Sequence, residues 1–169
     1  MQPTNPVRIR ATAMRLANPT SRSVPTSAPV PPLHARYRIM VVDDMSVSRG
    51  VIAQSLEMLD CRNVVVTGDA KAALATLRKH PVDLILSDHL MPEMTGLELL
   101  DRIRRTPEIA LTRFVLVTGA QDPGLERQAA GLGVSAILWK PYGLRDLRSL
   151  IERVMGRRMP ALRHSARSG

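Results

Sequence analysis

Five side chains in this chain have the types and spacing for chemistry on a phosphoryl group. Asp43 and Asp44 follow the apolar run Ile39–Val42, and Asp88 comes just after Leu84–Leu86. Thr118 follows Phe114–Val117, and Lys140 follows Ala136–Trp139. If each run is a strand of one sheet, the three carboxyls meet beyond neighbouring strand ends. Two like charges ~5 Å apart at an effective dielectric of ~20 repel by about 3 kcal/mol. A cation or a protonated carboxyl must relieve that repulsion. A hard, oxygen-seeking divalent ion, most simply Mg2+, is suited to do so. Thr118 adds a hydroxyl and Lys140 a mobile ammonium beside Pro141. Metal and lysine would neutralise phosphoryl oxygens, and a carboxylate could act as nucleophile. Single acids at strand ends are commonly solvated loop residues; the case for a site is that all five fall in register.

The elements that must position them are legible as periodicity. The apolar runs Ile39–Val42, Val64–Val66, Leu84–Leu86, Phe114–Val117 and Ala136–Trp139 are continuous rather than alternating, as in strands buried on both faces of a parallel sheet. A segment of helical spacing follows each. Ser46 is expected to cap the first helix, with Val47, Val51, Ile52, Leu56 and Leu59 inward. Asp69 is expected to cap the second, with Ala73, Leu74 and Leu77 inward. Leu97, Leu100 and Ile103 mark the third helix. The fourth, Leu125 to Leu132, is weakened by Gly124, Gly131 and Gly133. Leu144, Leu147, Leu150, Ile151 and Val154 mark the last. Five strand–helix units predict an α/β domain with a doubly wound five-stranded parallel sheet, flavodoxin-like, in strand order 2-1-3-4-5. That order makes the first and third strands neighbours at the switch point, where such sheets bind ligands.

Charge divides the chain into three parts. Its 24 Lys+Arg and 15 Asp+Glu give a net charge of +9. Residues 1–38 carry +6, residues 156–169 carry +4, and residues 39–155 carry −1. The expected domains are a Pro/Ser/Thr/Arg-rich disordered tail over 1–36, a globular domain over 37–155 and a basic tail over 156–169. The first segment lacks the apolar core of a secretory signal, although its composition overlaps with that of organellar transit peptides. The longest uncharged stretch of the globule, Gln128–Trp139, is too short and polar to span a bilayer. The single Cys61 excludes an intramolecular disulfide or a cysteine-rich metal site and suits a reducing, cytoplasmic compartment. Four aromatic residues leave little for a base-stacking surface.

The chain resembles the response-regulator receiver domains of the CheY type. The resemblance is carried by Val41-Val42-Asp43-Asp44, Leu84-Ile85-Leu86-Ser87-Asp88, Met91-Pro92, Gly96, Val117-Thr118-Gly119-Ala120 and Trp139-Lys140-Pro141-Tyr142, with intervals of 44, 30 and 22 residues separating Asp44, Asp88, Thr118 and Lys140. It covers residues 38–155. It implies that Asp88 accepts a phosphoryl group from a histidine kinase. Asp44 would be the direct Mg2+ ligand, Asp43 the acid that holds the ion through water, and Leu90 a backbone-carbonyl ligand. Thr118 would follow the phosphoryl oxygens, Lys140 would pair with them, and the Lys140–Pro141 peptide would be cis. Output is expected through a separate partner, because the fourteen residues after Met155 are too few for a helix-turn-helix unit.

Three positions depart from the usual pattern. Gly119 stands where Ala is more usual. Ile137 stands at the switch position where many receivers carry Tyr or Phe, so the aromatic half of the switch is lost. Leu90 and Ala120 offer no polar group to orient an attacking water, which predicts a long-lived acyl phosphate. His89 is expected to point away from Asp88, and Met91 and Met94 to be packing or surface residues. The leading functional expectation is a monomeric single-domain phospho-switch of the chemotaxis type, with a flagellar motor or sensor kinase as possible partner. The alternatives are a phosphorelay intermediate served by a histidine phosphotransfer protein, or a phosphate sink. From other classes come an aspartate-nucleophile phosphohydrolase and nucleic-acid binding through the basic tails. The hydrolase would need a second acid where Leu90 stands.

Overall fold

The parity of the strand residues dictates two cores, one on each face of the sheet. In the computed structural model, which describes residues 36–119 and 123–156, the strands are β1 (Arg38–Val42), β2 (Asn63–Thr67), β3 (Leu84–Asp88), β4 (Arg113–Thr118) and β5 (Ala136–Trp139). The helices are α1 (Ser46–Met58), α2 (Ala70–Lys79), α3 (Gly96–Arg104), α4 (Pro123–Gly131) and α5 (Leu144–Gly156). All strands are parallel, in the order β2-β1-β3-β4-β5. The expected fold is therefore the one observed. Met40, Val42, Ile85, Phe114 and Leu116 face α2, α3 and α4, packing on Ala73, Leu77, Leu100, Ile103 and Leu125. Their neighbours Ile39, Val41, Leu84, Leu86, Val115 and Val117 face α1 and α5, packing on Ile52, Leu56, Leu147, Ile151 and Val154. Alternate residues of the inner strands β1, β3 and β4 thus serve opposite layers, which is why those runs are apolar throughout; the edge strand β2 departs from the expected burial on both faces, with Val66 50% exposed.

Register sets the height of the functional side chains. Val42 lies opposite Thr67 and Ser87, Asp88 opposite Val117, and Thr118 opposite Trp139. The segments after β1, β3, β4 and β5 therefore leave the sheet at the same edge.

Helix starts differ in how they are secured. Asp69 caps α2 as expected, its carboxylate accepting the Ala72 N–H at 2.7 Å. Thr95 and Glu98 close a reciprocal capping box on α3, a Thr-x-x-Glu signal that the periodicity reading passed over. Ser46 is not the cap of α1: Met45 holds that position without a side-chain bond, and Ser46 is the first helical residue. The Asp43 carboxylate takes the Met45 N–H instead, drawing the helix start one residue earlier. The inward face of α1 is likewise narrower than expected. Ile52 and Leu56 are buried, but Val47 and Val51 are 75% and 56% exposed. They lie about 100° or more around the helix from the Ile52–Leu56 line, beyond the reach of the sheet.

At the far end of the sheet, Arg104 closes α3. Its guanidinium donates to the carbonyls of Ala110 and Thr112 before β4, and of Leu132 and Gly133 after α4, at 2.8–3.1 Å. Gly133 takes a φ of 71°, a conformation glycine adopts without strain. The expected tails lie outside the described residues, apart from Arg36 and Gly156. Ala120 also lies outside them.

Candidate functional site

Asp88 ends β3, where the preceding apolar residues drive the strand through the core and leave its last carboxylate at the sheet edge. It is 9% exposed. One oxygen accepts the Leu90 amide at 2.9 Å and the other accepts the Lys140 ammonium at 2.6 Å. Lys140 arrives from β5, where its own amide donates to the Thr118 carbonyl at 2.8 Å. The following peptide to Pro141 is cis, as expected. Thr118 is buried at the end of β4.

Asp43 enters from β1 and is 1% exposed. One oxygen takes the Met45 amide at 2.9 Å; the other takes the Ser48 hydroxyl at 2.5 Å and lies 3.8 Å from the Lys140 ammonium. A single ammonium therefore stands between two buried carboxylates. Burial alone pulls the Lys140 ammonium down, but the hydrogen bond and charge of Asp88, with the charge of Asp43, outweigh it and hold the group above its usual range. Burial likewise pushes the Tyr142 phenol up, partly opposed by Lys140 and reinforced by Asp43 and Asp88.

Asp44 is exposed and stands apart from this pair. It lines a cleft with Gly68, Asp69, Lys71, Met91, Pro92, Glu93 and Met94. Lys71 and Glu93 pair across that cleft at 2.6 Å. Among the described residues, no three His, Cys, Asp or Glu side chains gather closely enough to form a ready metal cage. The fit to Mg2+ rests instead on donor chemistry and charge. The expected donors (Asp43, Asp44, Asp88 and the Leu90 carbonyl) are all oxygens, and Lys140 compensates only one of two buried negative charges. These oxygen donors and the uncompensated charge suit a hard divalent ion.

The structure brings Asp43, Asp88 and Lys140 together, with Thr118 bonded to the Lys140 main chain. Leu90 contributes its amide to Asp88 and is itself 66% exposed. The His89 amide bonds the Val117 carbonyl, and no hydrogen bond joins its ring to Asp88. Met91 and Met94 are buried packing residues. Ile137 packs partly buried against the α2–α4 core. Two residues missed in the sequence belong to the site. Ser48 bonds Asp43, and Arg49 donates to the Asp43 and Asp44 carbonyls at 2.6 and 3.0 Å. Their signal was spacing: five residues beyond Asp43 and Asp44 is one turn into α1.

A family model described as the response regulator receiver domain matches residues 39–152. The chain is 29% identical over 121 residues to a probable chemotaxis protein CheY of Rhizobium etli, covering 72% of this chain and 94% of that protein. It is 30% identical over 109 residues to the two-component response regulator ORR8 of Oryza sativa, covering 64% and 90%. Among solved structures it matches the Vibrio cholerae chemotaxis protein CheY4 with a TM-score of 0.66 at 27% identity, covering 70% and 98%. It shares its fold with the receiver domain of the Pseudomonas aeruginosa sensor histidine kinase PA1611, described with magnesium in its active-site cleft (TM-score 0.65, 24% identity, 71% and 98% covered).

Proposed function

The chain belongs to the response regulator receiver domain family, and we propose that it is a cytoplasmic two-component phospho-switch that accepts a phosphoryl group on Asp88. The observation carrying this reading is the buried Asp88 carboxylate, held by the Lys140 ammonium at 2.6 Å and the Leu90 amide at 2.9 Å. Those two bonds fix the direction from which the carboxylate meets phosphorus. In the transfer, an Asp88 oxygen forms a bond to phosphorus as the bond to the donor's imidazole nitrogen breaks. The electron pair of that bond leaves with the imidazole. Lys140 exchanges its carboxylate oxygen for a phosphoryl oxygen, and Thr118, whose carbonyl holds the Lys140 amide, can offer its hydroxyl to another. Mg2+, when bound, supplies the remaining charge compensation; Asp44, Asp88 and the Leu90 carbonyl would hold it directly and Asp43 through water.

A protein donor is supported by the surface beside the site. Val47 and Val51 make an exposed apolar line on α1, continued by Met58, and Leu90, two residues after Asp88, is exposed as well. Chemotaxis-type output through a separate partner is supported by the chemotaxis CheY relatives, and membership of a two-component system by the response regulator of rice. Catalysis would be confined to the protein's own phosphorylation and dephosphorylation. No helix among the described residues is long and apolar enough to cross a membrane.

Intact-mass measurement after incubation with acetyl phosphate and Mg2+ tests the proposal. A single phosphoryl adduct is expected on wild type and absent in Asp88→Ala or with EDTA. An adduct retained by Asp88→Ala refutes the assignment; no adduct from either acetyl phosphate or a phosphorylated kinase refutes the function. Return transfer to a histidine phosphotransfer protein would identify a relay member.

A further inference from the structure

We infer that Ser48 is a positioning residue for the metal site, keeping the Asp43 carboxylate turned toward the ion and away from Lys140. The inference rests on the reading of Asp43 as an acid of the Mg2+ site and concerns a residue outside the motif that identified that site. Three donors compete for the Asp43 side chain. The Met45 amide holds one oxygen, while the Ser48 hydroxyl at 2.5 Å and the Lys140 ammonium at 3.8 Å both address the other. The hydroxyl is the nearer, so Lys140 closes on Asp88 instead, at 2.6 Å. Without the hydroxyl, the second Asp43 oxygen is left with the half-buried Lys140 ammonium as its nearest remaining side-chain donor. A direct Asp43–Lys140 pair would then take up the carboxylate needed by the ion and draw Lys140 from Asp88.

The mounting of Ser48 suits it to this task. It stands in the first turn of α1, whose cap residue Met45 supplies no side-chain bond. That turn is tied down by the Arg49 guanidinium on the Asp43 and Asp44 carbonyls, which also packs 3.3 Å from where a Gly68 Cβ would stand. The hydroxyl thus rides on a fixed piece of backbone, as the outer groups that orient metal ligands commonly do.

The test is Mg2+ binding by the full chain without phosphodonor, read by titration calorimetry and by Trp139 fluorescence. Melting in EDTA monitors the fold. Ser48→Ala is expected to weaken Mg2+ binding about tenfold, and Ser48→Thr, which keeps the hydroxyl, to restore it. Ser48→Ala binding as tightly as wild type overturns the inference alone. So does equal weakening by Ala and Thr, which would assign the effect to packing. Wild type failing to bind Mg2+ overturns the metal-site reading and this inference with it.

Discussion

Replacing Gly96 with alanine probes how closely the strand that ends in Asp88 is packed. A Cβ at Gly96 would stand 2.5 Å from the Asp88 carbonyl oxygen, 2.7 Å from Leu116 Cδ1 and 3.2 Å from His89 Cα. The Leu116 side chain can turn away. The Asp88 carbonyl cannot, because the main chain beside it is held by the His89 amide on the Val117 carbonyl at 3.0 Å and by the Gly96 amide on the His89 carbonyl at 2.9 Å. Forcing main chain apart in this way costs about 1–3 kcal/mol. The better helix propensity of alanine returns at most about 1 kcal/mol, less at a first helical position. The net expectation for Gly96→Ala is a loss of about 1–2 kcal/mol, or roughly 5–10 °C in Tm for a domain of this size. Urea unfolding in EDTA, followed by Trp139 fluorescence, reads the loss. Phosphorylation by acetyl phosphate should slow as well, since the displaced atoms carry Asp88. A variant as stable as wild type, phosphorylated at the same rate, would refute the claim that α3 abuts the acceptor backbone.

Three further outcomes follow from the same geometry. Lys140 is held above its usual range, so its favourable contribution is complete below the unfolded value of about 10.4 and lost as pH rises through the higher folded one. The stability of the metal-free protein should therefore fall above about pH 10.4, with Lys140→Met lacking this part of the fall and Tyr142→Phe controlling for the phenol; urea midpoints against pH measure it. Leu90 presents no polar group to an attacking water, so a Leu90→Asn, Ala120→Glu double variant should lose its phosphoryl group faster than wild type after donor removal, as followed by intact mass. Arg104→Ala, which strips four carbonyls of a charged donor, should cost about 2–3 kcal/mol in urea unfolding without changing Mg2+ affinity.

Strand identity and order were legible because burial on both faces makes the middle of β1, β3 and β4 a continuous apolar run, with the buried polar residues Ser87, Asp88 and Thr118 confined to the ends nearest the site. The convergence of Asp88 and Lys140 followed from that order. What periodicity misjudged was α1, where Val47 and Val51 have the hydrophobicity of a core face but only Ile52 and Leu56 meet the sheet. Hydrophobicity records what a residue could bury, and the neighbouring elements decide what it does bury. Ser46 misled for a related reason: a serine before a helix signals a cap, yet the buried Asp43 carboxylate already holds the Met45 amide. Ser48 and Arg49 were invisible as site residues because their partners are a side chain and two carbonyls around a bend, contacts that residue types alone do not specify. Asp44 reads in the sequence as the twin of Asp43, but adjacent residues leaving a strand face opposite ways, and only one is buried.

The Arg104 guanidinium makes one corner of the molecule behave as a pivot. It binds the end of α3, the approach to β4 and the turn after α4 into one unit, at the opposite end of the sheet from Asp88. Sliding α4 along the sheet would break the bonds to Leu132 and Gly133, whereas a swing about that end would keep them. Motion would then be small beside the anchor and largest at the edge where Asp88 and Lys140 meet, so a partner reading the α4 surface would meet a change of angle rather than a change of distance.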